Sequence, residues 1–191
     1  NLGYRFVTVS DTEVILKAFD YWQEQAFNKF NGPFALAIFD KVTHQLWLAR
    51  DRFGVKPAYY FQDDSIFYFA STPTILAKYL ALKPNLNYLT RGLLYSVYED
   101  ETNISPYENL HALEPAHFLK IKVKSNNQLV IEKKQYYKLQ EQVEFQTQQL
   151  AHINPKSFAE YFSHLLQNAV TLRLRSDVKM GVALSGGLDS A

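Results

Sequence analysis

The residues whose types and spacing could do chemistry lie at the end of the chain, in the hexapeptide 185–190 (Ser-Gly-Gly-Leu-Asp-Ser). Two adjacent glycines let the backbone approach an anion closely and adopt positive φ without a steric cost. Their amides, with the hydroxyls of Ser185 and Ser190, can form a concave site for a phosphate. A bare carboxylate repels phosphate, so Asp189 predicts a divalent cation between the two. The absence of a following Gly-Lys-Ser/Thr excludes the loop of ATPases that release the γ-phosphate.

The same hexapeptide has a structural alternative, a glycine-rich turn between a strand and a helix with Asp or Ser as the helix cap. A lone Gly-Gly pair would favour that alternative. Here six specified positions directly follow the apolar segment 178–184, which predicts a short strand. A loop after a strand that opens a helix is the usual place for a phosphate, so this context favours phosphate binding.

The hexapeptide resembles the SGGxDS pyrophosphatase loop of enzymes that cleave ATP between its α- and β-phosphates. The longer stretch 172–190 is similar to the opening of the synthetase domain of glutamine-hydrolysing asparagine synthetases, which adenylate aspartate before ammonia displaces AMP. Lys179 and Met180 depart from the Pro and β-branched residue common there. The resemblance implies ATP and Mg²⁺ as cofactors, with the metal held indirectly through Asp189. The implied ATP-binding residues are Leu184, Ser185, Gly186, Gly187, Leu188, Asp189 and Ser190.

The start of the chain resembles the glutaminase domain of the same family. Residues 8–14 (Thr-Val-Ser-Asp-Thr-Glu-Val) are similar to its S-D-x-E-V segment, whose Asp pairs with the α-ammonium of glutamine. The resemblance transfers that role to Asp11. The structural reading of Asp11 is a first-turn carboxylate stabilised by the helix dipole, and the two roles are compatible.

A second resemblance to the glutaminase domain covers residues 50–60, which are similar to the family's R-D-x-x-G-x-x-P-L-Y-Y turn. Gly54 allows the sharp bend, and Pro57 fixes the entry into the next strand. Arg50 and Asp51 are interpreted as a structural ion pair that pins the turn. The chain departs from the family further on, because Ala116 stands where the family has a glycine.

The family's glutaminase chemistry needs an N-terminal cysteine as nucleophile, its own α-amine as base, and an oxyanion hole. The chain contains no cysteine, so no catalytic residue is predicted within it. Because it starts at Asn1 and stops within a glycine-rich turn, we expect an internal fragment that is inactive by itself. The implied reaction of the full-length parent converts aspartate, glutamine and ATP to asparagine, glutamate, AMP and pyrophosphate.

Hydrophobic periodicity predicts the elements that must position these residues. Ser10 and Glu13 form a capping box that opens a helix to about Phe27. Antiparallel hairpins are predicted at 34–51, 58–70 and 117–132, and helices within 73–98. The run 34–39 does not alternate, so its strand is expected to be covered on both faces.

The remaining segments are predicted from composition and capping signals. The stretch 99–115 is polar and irregular, as expected for a connection. Residues 140–149 carry five glutamines in ten positions and predict a linker or disordered loop. Ser157 begins a second capping box, which predicts an amphipathic helix to about Leu174.

The predicted fold class is α+β followed by α/β. The resemblance implies that residues 1–125 are the C-terminal part of a glutamine amidotransferase domain, an incomplete antiparallel αββα sandwich. Residues 126–156 are a connecting hairpin and linker. Residues 157–191 contribute the first helix and strand of a parallel-sheet ATP-pyrophosphatase domain.

Composition limits the partners. Lys plus Arg number 20 and Asp plus Glu 19, a formal charge of +1, which offers no basic footprint for nucleic acid. The apolar run 34–39 is far shorter than the roughly 20 residues of a membrane helix, so no membrane partner is predicted and the expected location is cytoplasmic. The expected partners are glutamine, aspartate and ATP, and a homodimer is the assembly to consider.

Two other functions stay open from the sequence. A paralogue of the same architecture would adenylate another carboxylate, for instance to close a lactam or a peptide ring. A non-catalytic assembly module would use the sheet and the loop for contacts alone.

Overall fold

The computed structural model describes residues 3–98, 102–124, 128–182 and 185–187. Contacts divide the chain into two compact units, Asn1–Lys138 and Leu139–Ala191. The predicted domain boundaries near residues 125 and 157 stay predictions about domain organisation.

In the described part of the first unit, three α-helices and seven strands are formed. The helices are α1 (Asp11–Trp22), α2 (Pro73–Leu80) and α3 (Leu86–Tyr95), and a 3₁₀ helix (Gln23–Asn28) continues α1. The strands are β1 (Ala35–Asp40), β2 (Gln45–Arg50), β3 (Tyr59–Gln62), β4 (Phe67–Ala70), β5 (His111–Ala112), β6 (His117–Val123) and β7 (Leu129–Gln135). The three hairpins and the two helices within 73–98 that the sequence predicts are confirmed.

The strands form two antiparallel sheets, ordered β1-β2-β6-β7 and β4-β3-β5. In the first sheet, Trp47 of β2 faces α1 and packs among Phe19, Phe27 and Phe118. The next residue, Leu48, points to the opposite face, because side chains alternate along a strand. This α+β arrangement with antiparallel sheets confirms that part of the predicted fold class.

Two further apolar layers complete the first unit. Leu48 and Leu119 of the first sheet pack against Tyr60 and Leu113, so the two sheets lie face to face. On the far side of the second sheet, Tyr59 and its neighbours pack with Leu76 of α2. The order of layers is therefore helix, sheet, sheet, helix.

Helix α1 begins as predicted and ends earlier. The Ser10 hydroxyl accepts a hydrogen bond from Thr12 N at 3.2 Å, which is the predicted N-cap. The α-helix stops at Trp22 because Gln23 adopts φ 52°, and the chain continues to Asn28 as 3₁₀ helix. Phe27, the predicted end of the helix, is fully buried within that 3₁₀ segment.

Strand β1 contradicts the expectation of burial on both faces. Ala35, Ala37 and Phe39 are exposed, and Ile38 is buried. The reason is topological, since β1 is an edge strand and β2 has neighbours on both sides. An unbroken apolar run does not distinguish these two positions.

The segment 99–115 is less irregular than predicted, because it contains β5. This two-residue strand pairs with β3 through Tyr59↔Ala112 and Tyr60↔His111. It is too short to show a hydrophobic period, so sequence patterning misses it.

The second unit contains α4 (Leu139–Leu150) and α5 (Pro155–Arg173). The prediction of a disordered loop at 140–149 is wrong, because the segment is helical. Glutamine is a good helix former, and the helix buries no residue. Helix α5 starts earlier than predicted. Asn154 is its cap, accepting a bond from Ser157 N at 3.0 Å, and Pro155 occupies the first turn.

The predicted strand 178–184 is not formed in its described part, 178–182. A parallel strand needs a neighbouring strand for its backbone hydrogen bonds, and none pairs with this segment among the described residues. The parallel sheet of the predicted ATP-pyrophosphatase domain is therefore not confirmed. Across the described ranges, no helix combines the length and apolar character needed to span a bilayer.

Ala116 adopts φ 61°, a left-handed conformation that costs an L-residue roughly 1–2 kcal/mol. It is 3% exposed, and Ala112 of β5, which lacks a positive φ, is 8% exposed. Both substitutions to glycine remove a buried methyl group. We expect Ala116→Gly to have a free energy of unfolding about 1–2 kcal/mol above that of Ala112→Gly, measured by urea unfolding. Equal destabilisation of the two variants would contradict the left-handed conformation of Ala116.

Candidate functional site

A groove of about 240 Å³ lies between the first turn of α1 and the loop that leads into β1. It is lined by Asp11, Val14, Ile15, Phe30, Asn31, Gly32, Pro33 and Phe34. One wall is therefore helical and carries the predicted binding residue. The other wall is the turn that follows the 3₁₀ helix.

Asp11 is exposed at the first position of α1. Within the described part of the chain, no group bonds to its carboxylate. The arrangement provides an available anion beside apolar groove walls, which suits a ligand with an ammonium group and an aliphatic stem.

The backbone around Asp11 is fixed from both sides. Ser10 caps the helix, and Glu13 N donates to Ser10 O at 3.2 Å. The reciprocal bond of the predicted capping box is not made, because the Glu13 carboxylate turns to Val7 N and Thr8 N instead. The bonds from Lys17 and Thr8 lower the pKa of Glu13 to about 2, so its charge is kept at neutral pH.

The second wall of the groove is held by the turn that follows β2. Phe34 N donates to Asp51 Oδ2 at 3.2 Å, and Asp51 N donates to Phe34 O at 2.8 Å. Arg52 donates to Phe30 O at 2.5 Å and also to Asn28 O. Both ends of the wall are thus tied to the motif 50–60.

The bonds described for the side chains of Arg50 and Asp51 run to the backbone, and the predicted ion pair between the two side chains stays a prediction. Arg50, 5% exposed, donates to the carbonyls of Lys56, Leu113 and Gly54 at 2.7–2.8 Å. Asp51, 2% exposed, accepts from the amides of Phe34, Phe53, Val55 and Lys56 at 2.9–3.2 Å. The predicted side-chain ion pair is not among these bonds.

Tyr136 supports the same wall from behind. Its hydroxyl donates to Arg50 O at 2.7 Å, and its ring stacks on Phe34 with centroids 6.5 Å apart. Burial raises the pKa of Tyr136 well above its usual range, so the hydroxyl stays a donor. The residue connects the end of β7 to the groove.

The structure describes only part of the predicted nucleotide loop. Ser185, Gly186 and Gly187 are exposed, and Gly187 N donates to Ser185 Oγ at 3.4 Å. Leu184, Leu188, Asp189 and Ser190 lie outside the described residues. This loop and Asp11 belong to different units of the chain.

Asn31 and Gly32 line the groove, and no motif in the sequence predicted them as groove residues. Their role depends on the return of the chain to the start of α1. The local signal was a polar residue and a glycine in the turn shortly before β1.

Comparison with known sequences identifies the class of the domain. Residues 1–137 match the family described as the glutamine amidotransferase domain, and the chain belongs to that family. Residues 162–191 match the asparagine synthase family.

Relatives extend this match over nearly the whole chain. It is 36% identical to the putative asparagine synthetase (glutamine-hydrolyzing) 2 of Methanocaldococcus jannaschii, covering 96% of this chain and 34% of that protein. It is 31% identical to the asparagine synthetase (glutamine-hydrolyzing) 3 of Bacillus subtilis, covering 99% of this chain and 29% of that protein. The resemblance drawn from the sequence is confirmed, and the chain spans about a third of the length of these relatives.

Gly54 is required by its conformation and its surroundings. Its φ is 66°, and an added Cβ would lie 2.9 Å from Pro115 Cγ and 3.1 Å from Arg50 Cζ. We expect Gly54→Ala to lower the free energy of unfolding by about 2–4 kcal/mol, through backbone strain and overpacking. Tryptophan fluorescence measures this in the first unit, because both tryptophans, Trp22 and Trp47, lie there.

The matched control for this variant is Gly181→Ala, because an added Cβ at Gly181 meets no atom within 4 Å. It should unfold like the original chain. A Gly54→Ala variant as stable as this control would show that the turn does not need glycine.

Proposed function

We propose that these residues belong to a longer glutamine-hydrolysing asparagine synthetase. ATP would activate the side-chain carboxylate of aspartate, and ammonia released from glutamine would displace AMP. The matches of residues 1–137 and 162–191 to the two families support both halves of this reaction. The observation that carries the proposal is the exposed Asp11 carboxylate in a groove of an amidotransferase domain, to which no group among the described residues bonds.

In the glutamine half, Asp11 binds the α-ammonium of glutamine. Val14, Ile15 and Phe30 line the groove beside it and would contact the aliphatic stem of glutamine. The 191 residues contain no cysteine, so the nucleophile that attacks the carboxamide belongs to another part of the parent. The groove therefore contributes recognition of the substrate.

In the ATP half, the exposed glycines fit a phosphate-binding role. An added Cβ at Gly186 meets no atom within 4 Å, so the described backbone is open to a ligand. Leu184 would contact the adenine, and residues 185–190 would bind the pyrophosphate through amides and hydroxyls. Asp189 would hold Mg²⁺ indirectly, and the metal would neutralise phosphate charge.

The Asp11→Asn variant of the full-length parent tests the glutamine half. The amide keeps the shape of the side chain and removes its charge. We expect the KM for glutamine to rise about ten- to a hundredfold, the range for losing one charge-assisted hydrogen bond. Synthesis supplied with ammonium chloride should not change, because it bypasses glutamine.

The control for Asp11→Asn is Asp177→Asn, which changes an exposed carboxylate in the other unit. It should leave the KM for glutamine unchanged. An unchanged KM in Asp11→Asn would reject the binding role, and a parent that releases no glutamate from glutamine would favour the assembly module.

Gly186→Ala tests the ATP half, with Gly181→Ala as its matched control. Neither added Cβ meets an atom within 4 Å, so neither variant should change the melting temperature. We expect Gly186→Ala alone to weaken ATP binding at least about tenfold, because its methyl group occupies the approach of the phosphates. Calorimetric titration of the parent with ATP and Mg²⁺ measures this. Equal affinities of the two variants for ATP would contradict the assignment of Gly186 to the phosphate-binding loop.

A further inference from the structure

The segment ahead of α1 is not held in place by regular secondary structure. Residues 4–10 form no strand or helix, and Val7 and Val9 are 76% and 106% exposed. This segment nevertheless delivers the chain to Ser10 and Asp11. Its position must therefore come from specific bonds.

Glu13 supplies most of those bonds. Its carboxylate accepts from Val7 N at 3.0 and 3.1 Å and from Thr8 N at 2.6 Å. Lys17, one turn further along α1, donates both to Glu13 Oε1 and to Arg5 O. The side chains of Glu13 and Lys17 are 13% and 22% exposed, so the pair is largely covered.

Thr8 connects Glu13 to the helix cap. The Thr8 hydroxyl donates to Glu13 Oε2 at 2.6 Å and accepts from Ser10 N at 3.3 Å. The Glu13 carboxylate is thus linked to the backbone amide of the cap residue, Ser10, through the Thr8 hydroxyl and makes no direct contact with it. Asp11 follows directly, and among the residues that the structure describes its side chain makes no bond that would fix its position.

We infer that Glu13 is a positioning residue for the glutamine site, one that fixes the Asp11 carboxylate in the groove through Thr8 and Ser10. The inference rests on the proposed binding of glutamine by Asp11. Glu13 does not touch the substrate. Its carboxylate accepts hydrogen bonds from the amides of residues 7 and 8 and so fixes the chain ahead of Asp11. The position of the Asp11 carboxylate then determines where the α-ammonium binds.

The experiment measures glutamine hydrolysis by the full-length parent carrying Glu13→Gln. A neutral amide cannot hold Lys17 and two backbone amides with the same strength. Because Asp11 contacts only the remote end of glutamine, we expect the KM to rise about tenfold or more with kcat nearly unchanged. Ammonium-dependent synthesis should not change.

A second variant, Thr8→Val, is expected to raise the KM for glutamine by a smaller amount. Thr8→Val removes the hydroxyl relay and leaves both backbone amides in place, so its KM should lie between those of the original enzyme and Glu13→Gln. The matched control is Glu144→Gln on α4, an exposed glutamate that accepts a bond from Gln140 at 3.4 Å, and it should change neither constant.

The outcomes separate this inference from the proposed function. A role in stability alone would lower kcat and the melting temperature together and leave the KM unchanged, which would overturn the inference. If Asp11→Asn raises the KM and Glu13→Gln does not, the positioning role fails and the binding role stands. If neither variant changes the KM, the glutamine site itself is wrong.

Discussion

The burial of the Asp51 carboxylate is the constraint on which the first unit depends. A charge that is 2% exposed is costly unless hydrogen bonds replace its lost water. Four backbone amides supply them, three from the turn after β2 and one from Phe34 ahead of β1. Satisfying this one side chain closes the turn and also brings the start of β1 beside the end of β2.

Arg50 links the turn after β2 to the second sheet. Its guanidinium donates to Leu113 O, next to β5, and to two carbonyls of the turn. Although the two residues are neighbours on the chain, each side chain bonds a separate set of backbone groups. The groove wall at Phe34, the bend at Gly54 and the junction of the two sheets are therefore fixed together.

The parts predicted from the sequence are those set by local chemistry. The Ser10 cap, the hairpin turns and the helices within 73–98 depend on residues within a few positions of one another. Burial of β1, pairing of β5 and the helical state of 140–149 were missed or wrong. Whether a strand lies at the edge or in the centre of a sheet, and whether two residues pair as β5 does, depends on neighbours that are distant in sequence. The helical state of an unburied, glutamine-rich segment depends on weak local propensities.

The candidate site divides in the same way. Asp11 follows from the S-D-x-E-V resemblance, because the motif is contiguous. Asn31 and Gly32 could not be predicted as its neighbours, since their approach to α1 is imposed by Asp51 and Arg52 from beyond β1 and β2. The bonds of Glu13 to residues 7 and 8 also escaped prediction, because a capping-box pattern does not reveal the path of the chain before the cap.

A carboxylate at the start of a helix is a suitable recognition group because it can remain unpaired at low cost. In the proposed site, a ligand that binds Asp11 would displace water and no partner from the described part of the chain. An ammonium ligand then gains most where apolar walls exclude water from the contact. Rigidity matters as much as charge, since an ion pair that must first order its own loop loses affinity. In the proposed site the two carboxylates therefore have different roles: Glu13 bonds to the backbone ahead of the helix, and Asp11 would bind the ligand.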